Sequence, residues 1–180
     1  MLGAFNFERV ILGGSGLGLL DACLVQEALG YAVAPSGFLA ATVASHLFSQ
    51  AGSEYAEGIA SGEMVFGLAI TELTSRRDGA GVTAAAGKLT GKSLLADVPA
   101  NATHLLVADT SGIFHVAEDW AAMPMRTIDR TRMFYELTFS GQMAGMKTQG
   151  NGGTLEAARL LVAADTLGAA QAMLDKAVEY

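Results

Sequence analysis

Cysteine is almost missing from this chain: Cys23 stands alone among 180 residues, so no intramolecular disulfide can form. That scarcity points to a reducing, cytoplasmic setting and leaves Cys23 the part of a small apolar core residue. Charge is scarce too, at 16% of residues, and it sums to −7. Beyond Arg76-Arg77 there is no basic cluster to neutralise phosphates, which argues against nucleic acid as a partner. Half of the residues are hydrophobic, yet no unbroken apolar run reaches the length of a transmembrane helix. The first residues, Met1 to Arg9, lack the basic-then-apolar order of a signal peptide. His46, His104 and His115 sit in separate apolar contexts, without Cys or carboxylate at ligand spacing. They read as structural or surface histidines, and no metal site is expected.

What the chain does have is glycine, 22 of them, separated by apolar runs. They mark turns and close backbone approaches rather than disorder. The run Gly13-Gly14-Ser15-Gly16-Leu17-Gly18 lacks the third glycine of a dinucleotide fingerprint, and no P-loop lysine follows it. It reads as a loop that needs glycine conformations. Residues 10 to 62 read as helical. Leu17, Leu20, Leu24 and Ala28 share one face, and Gly30 is placed to stop that helix. A second helix is expected over Phe38 to Ser49 and a third over Glu54 to Ala60, capped by Ser53.

After residue 62 the period becomes that of strands. Met64 to Ile70 is a charge-free run that ends abruptly in Thr71-Glu72 and a doubly basic turn. Such a strand either delivers a hydroxyl, a carboxylate and unpaired backbone groups to one sheet edge, a common way to build a ligand site, or is an ordinary core strand leading into a solvated turn. Further strands are expected over Val82 to Ala86, Leu89 to Leu95, His104 to Ala108, Ile113 to Ala117 and Met133 to Phe139. Asp109-Thr110-Ser111-Gly112 reads as a hairpin turn between the His104–Ala108 and Ile113–Ala117 runs. Trp120 reads as a packing anchor or a substrate platform. The methionines at 123, 125, 143 and 146 read as loop packing or as the soft lining of an apolar pocket. Gly141 to Gly153 reads as a loop, and Thr154 as the cap of a long helix that is apolar almost all round. The whole is an α+β arrangement. Partial N-terminal helices (1–62) precede a small antiparallel β-barrel or sandwich (63–142), and then comes the first helix (153–180) of an incomplete bundle. The chain reads as one cut short at Tyr180.

Several motifs occur in series: Gln26-Glu27-Ala28-Leu29-Gly30 with Ala34-Pro35; Ile59-Ala60-Ser61-Gly62-Glu63; Ala69-Ile70-Thr71-Glu72; Leu89-Thr90-Gly91-Lys92; Ala102-Thr103-His104-Leu105-Leu106-Val107-Ala108; Glu136-Leu137-Thr138-Phe139; and Leu167-Gly168-Ala169-Ala170-Gln171 with Ala177-Val178-Glu179-Tyr180. In this order the chain resembles the acyl-CoA dehydrogenase family over nearly all of residues 13 to 180. The resemblance implies FAD and an acyl-CoA substrate, with removal of a proton and a hydride from the α and β carbons of the thioester. It implies electron-transfer flavoprotein or a similar electron acceptor, and a homo- or hetero-oligomer. Thr71, with backbone groups of Leu68 and Ile70, would meet the flavin ring, and Leu94 and Ala96 fall at positions that face it.

Three departures from the family pattern stand out. Arg76 and Arg77 replace small residues after Thr71-Glu72, where they either contact a phosphate of FAD or coenzyme A or form a solvated turn. Arg77 is the candidate substrate contact. Leu94-Leu95-Ala96 replaces an aromatic, an aliphatic and a hydroxyl residue, so ring stacking and a side-chain hydrogen bond to flavin N5 are lost. No catalytic carboxylate is present: the alternative position in the long helix holds Ala158, and Glu156 lies about 200° around the helix from it. The expectation is therefore an acyl-CoA dehydrogenase-like flavoprotein whose base is supplied elsewhere, or a non-catalytic partner subunit or remnant of a hetero-oligomeric acyl-CoA dehydrogenase.

Overall fold

A computed structural model describes residues 18–51, 54–145, 147–149 and 153–180. The Gly13–Leu17 loop, Ser53 and Met146 lie outside the described residues. The chain divides into two compact units, one holding the helices and the other (64–150) holding the sheet. The α+β class expected from the sequence is the one observed.

The helical unit comprises α1 (Leu19–Tyr31), α2 (Phe38–Ala51), α3 (Glu54–Ser61) and α4 (Thr154–Glu179). At the start of α1 the Asp21 carboxylate accepts the Gly18 N–H at 2.7 Å, which ties down an otherwise open donor and suits the helix dipole. The helix runs one residue past Gly30, and Val33, at φ 51°, makes the left-handed turn that follows. Gly30 has a different task. A β-carbon there would stand 2.1 Å from the Asp165 carbonyl oxygen, and one at Gly168 would stand 1.9 Å from that of Glu27. Helices α1 and α4 thus cross backbone to backbone, which only glycine permits. Gln26, buried, reaches across to Asp165 at 2.8 Å. In α2, Ala40, Val43, Ala44, Leu47 and Phe48 form the buried stripe, and Phe48 stacks on Tyr55 of α3.

Thr154 is not the cap of α4: Gly153 holds that position, and the Thr154 hydroxyl is buried. The nearly continuous apolar surface of α4 sorts into a small-residue face that is buried (Ala157, Ala158, Leu161, Gly168, Ala172) and exposed leucines elsewhere.

The other unit is an eight-stranded sheet in the order β6-β7-β3-β1-β4-β5-β8, with β2 also paired to β3. The strands are β1 (Phe66–Ala69), β2 (Gly81–Ala85), β3 (Lys88–Asp97), β4 (His104–Ala108), β5 (Ile113–Ala117), β6 (Ala121–Met125), β7 (Phe134–Met143) and β8 (Lys147–Gln149). All pairs are antiparallel except β1 with β4, which run parallel; the antiparallel description therefore needs that correction. The loop expected over 141–153 is also shorter, since β7 runs to Met143 and β8 pairs with β5. Ala86 and Gly87, both at positive φ, form the tight turn of the β2–β3 hairpin, the twist that two-residue hairpin loops favour. Ala69, Val82, Leu89, Ala96, Leu105, Val107, Ala117, Leu137 and Phe139 form the sheet's core, and Trp120 packs against its margin.

Candidate functional site

Strand β1 is buried along its whole length, as a strand flanked on both sides must be. Leu68 lies in register with Asp97 of β3 on one side and Leu106 of β4 on the other. The β1–β3 pairing goes no further, because β3 is irregular between Ser93 and Ala96 and Leu95 takes a left-handed conformation at φ 56°. A bulge of this kind re-aims a strand and frees its backbone. Beyond Ile70 the chain answers it with a 3-10 turn over Thr71–Leu73.

The two features interlock. The Thr71 hydroxyl donates to the Leu94 carbonyl in a short contact. The Glu72 carboxylate accepts from the buried Ser93 hydroxyl at 2.7 Å and from the Leu94 N–H at 2.8 Å. The Leu95 N–H points at the Met125 sulfur of β6, 3.3 Å away. Thr71 and Leu94 remain half-buried, whereas Ala96 is fully buried opposite Tyr135. Asp97 closes this end of β3; burial pushes its carboxyl up, and the Arg132 charge offsets that only in part.

Next to Thr71 opens a cleft of about 480 Å³ lined by Glu72, Arg76, Arg77, Gly79, Asp109 and Thr110, among others. Arg77 folds back so that its guanidinium donates to the carbonyls of Thr71 (3.4 Å) and Ser75 (3.2 Å). Arg76 is exposed. Asp109 is held firmly: its Oδ1 accepts the N–H groups of Ser111 and Ile113, and its Oδ2 pairs with buried His115 at 2.9 Å. Burial alone would raise this carboxyl, but the hydrogen bond from His115 and the backbone donors outweigh it and hold it below the ordinary carboxylate range. The lining thus sets the Arg76 and Arg77 guanidinium groups among three carboxylates, those of Glu72, Asp78 and Asp109.

The residues singled out from sequence therefore fall into three places. Leu68 and Ala96 are in the sheet interior, Ile70, Thr71 and Leu94 gather at the β1 end, and Arg77 braces the turn toward the cleft. Glu72 as the lock of the bulge, Met125 and the Asp109–His115 pair carried no sequence signal strong enough to find them. Their partners lie between 6 and 30 residues away. His46 is half-buried, with burial lowering its pKa, and His104 bonds Thr103 and stacks on Phe66. Among the described residues no cluster of His, Cys, Asp or Glu is arranged to hold a metal. No helix among them is long and apolar enough to cross a membrane.

No family model and no curated protein matches the sequence. Solved structures do match. The chain superposes on a variant of the Tcur3481–Tcur3483 steroid ACAD with a TM-score of 0.75 at 22% identity, over 97% of this chain and 54% of that one. For the ChsE4–ChsE5 complex from Mycobacterium tuberculosis the values are 0.74 and 20%, over 94% and 51%. For a glutaryl-coenzyme A dehydrogenase in complex with glutaryl-CoA they are 0.73 and 23%, over 97% and 55%. The fold is thus the one these acyl-CoA dehydrogenases share, and the chain spans about half the length of each.

Proposed function

We propose that this chain is the sheet-bearing part of an acyl-CoA dehydrogenase-like flavoprotein, with its N-terminal helices (1–62), β domain (63–142) and first C-terminal helix (153–180). The observation that carries the reading is the interlocked end of β1: a half-exposed Thr71 beside a bulged β3, next to a cleft bearing two arginines. The chemistry of this donor set fits the pyrimidine edge of a flavin. The Thr71 oxygen gives its hydrogen to Leu94 and keeps lone pairs for a ring N–H. Ile70 and Leu68 stand behind it, half-buried Leu94 lies across from it, and Ala96 supports that side from the sheet interior. Arg77, with Arg76, is suited to a phosphate of FAD or coenzyme A. Bound there, FAD supplies the hydride acceptor for the β-carbon of an acyl thioester. The chain's own residues bind and orient; they supply no base, since Ala158 occupies the matched helix position and is buried. On this reading the α-carbon proton is taken by a carboxylate outside these 180 residues, within a cytoplasmic homo- or hetero-oligomer that passes electrons to an electron-transfer flavoprotein or similar acceptor.

A second reading, a non-catalytic partner subunit, draws support from the other flavin edge. The Leu94 N–H is engaged by Glu72, and Ala96 has no hydroxyl to give a side-chain hydrogen bond to N5. The two readings separate on purified protein. A flavin absorbance that bleaches when an acyl-CoA is added without oxygen supports the enzyme. A protein that binds acyl-CoA without colour or bleaching supports the partner subunit, and one that binds neither refutes both.

A further inference from the structure

At the bulge of β3 the backbone is secured by partners of unequal strength. Leu94 and Leu95 fall between the Ser93–Leu137 and Ala96–Tyr135 pairs and have no partner in the β3–β7 register. The Leu94 N–H is accepted by the Glu72 carboxylate at 2.8 Å, a charge-assisted bond roughly twice as strong as a neutral one. The Leu95 N–H goes instead to the Met125 sulfur at 3.3 Å, and a thioether is a weak acceptor. Met125 belongs to β6, and β7 lies between β6 and β3, so its side chain spans a strand to make this contact. Met125, Leu94 and Leu95 are all half-buried, which leaves this corner partly open. An unbranched side chain with three rotatable bonds swings aside readily.

We infer that the Leu95 N–H is the hydrogen-bond donor to flavin N5 in this chain, and that Met125 is its positioning residue, occupying that amide until the cofactor takes it over. The inference rests on the flavin reading given above and names a contact within it. Ala96 offers no hydroxyl, and the Leu94 N–H is committed to a carboxylate that a neutral ring nitrogen does not displace. The Leu95 N–H alone gains from the exchange, since a ring nitrogen is a better acceptor than a thioether sulfur. Its direction is set in advance. The Leu94 carbonyl and the Leu95 N–H are the two ends of one planar peptide unit, so the Thr71 hydroxyl that holds the carbonyl also aims the N–H. A fixed donor at N5 favours hydride acceptance there, which is the use a flavoprotein has for it.

Isotopically labelled wild-type protein, titrated with FAD and with deaza-FAD, in which C–H replaces N5, tests this by amide NMR. FAD shifts the Leu95 amide resonance and slows its hydrogen exchange. Deaza-FAD leaves that resonance in place and binds about fivefold more weakly, the worth of one neutral hydrogen bond. Two variants then move FAD affinity in opposite directions. Met125→Leu keeps the bulk but removes the competing acceptor, and tightens FAD about fivefold; Met125→Gln supplies a stronger oxygen acceptor, and weakens it by about the same factor. Circular dichroism checks that the sheet is retained in both. A methionine that only packs would give changes of one sign. If FAD does not bind wild type at all, the flavin reading falls and this inference falls with it. If FAD binds but the Leu95 resonance stays put, deaza-FAD behaves like FAD, or the two variants shift affinity the same way, the inference is overturned while the flavin reading stands.

Discussion

Replacing Gly168 by alanine pits helix propensity against packing, and the geometry decides which wins. Inside α4 the change favours the helix by about 1 kcal/mol, because alanine is the better helix former. The new β-carbon, however, would sit 1.9 Å from the Glu27 carbonyl oxygen and 2.7 Å from the Tyr31 nitrogen, both backbone atoms that cannot swing aside. Reaching an ordinary contact requires α1 and α4 to part by about 1.5 Å. That shift carries the 2.8 Å Gln26–Asp165 bond beyond hydrogen-bonding range. Losing a bond to a charged group removes about 1.5–3 kcal/mol, and overpacking adds typically 1–3. The expected net result is a loss of about 2–4 kcal/mol, read as a lower urea midpoint in the helical circular-dichroism signal. The exposed Ala163→Gly change serves as the reference and loses only the propensity difference, about 1 kcal/mol. Gly168→Ala protein as stable as wild type would show that the helices do not cross at this residue.

Other outcomes follow from the sheet. Glu72→Ala leaves the buried Ser93 hydroxyl and the Leu94 N–H without their acceptor, a loss of about 2–4 kcal/mol, with faster hydrogen exchange at the Leu94 amide. Glu72→Gln, which keeps an acceptor oxygen, loses less, and equal effects would argue against the interlock. Asp109 has a folded pKa below its unfolded one, so its contribution is complete above the ordinary carboxylate range near pH 4 and fades as pH falls through the depressed value. The stability gap between wild type and Asp109→Asn, followed by fluorescence of the single tryptophan Trp120, therefore closes below about pH 4. A gap that persists unchanged into stronger acid would contradict the assignment.

Much of the fold was legible where one physical signal dominated. The β4–β5 hairpin announced itself through two apolar runs and an Asp-Thr-Ser-Gly turn, and the carboxylate and glycine of that turn do the work such residues do. Strand β6 escaped notice because Ala121–Met125 alternates nothing, contains Pro124 and is exposed almost throughout. Strand β8 is too short to show a pattern. In α4 the apolar character was visible but its orientation was not. The contact face is built from glycine and alanine, whose value lies in what they leave out, while the larger leucines point away. At the candidate site, Thr71 and Glu72 stood out as a polar break after a buried strand. The target of Glu72 did not, since a strand bulge 21 residues on has no local signature and Leu95 does not advertise its left-handed backbone.

The central claim is that the end of β1 holds a flavin, and titration of the protein with FAD tests it directly. The account predicts saturable quenching of flavin fluorescence at one FAD per chain, with Thr71→Val weakening it by about tenfold, the worth of a hydrogen-bonding group. Binding that is absent, or that ignores Thr71→Val while the sheet stays folded, would contradict it.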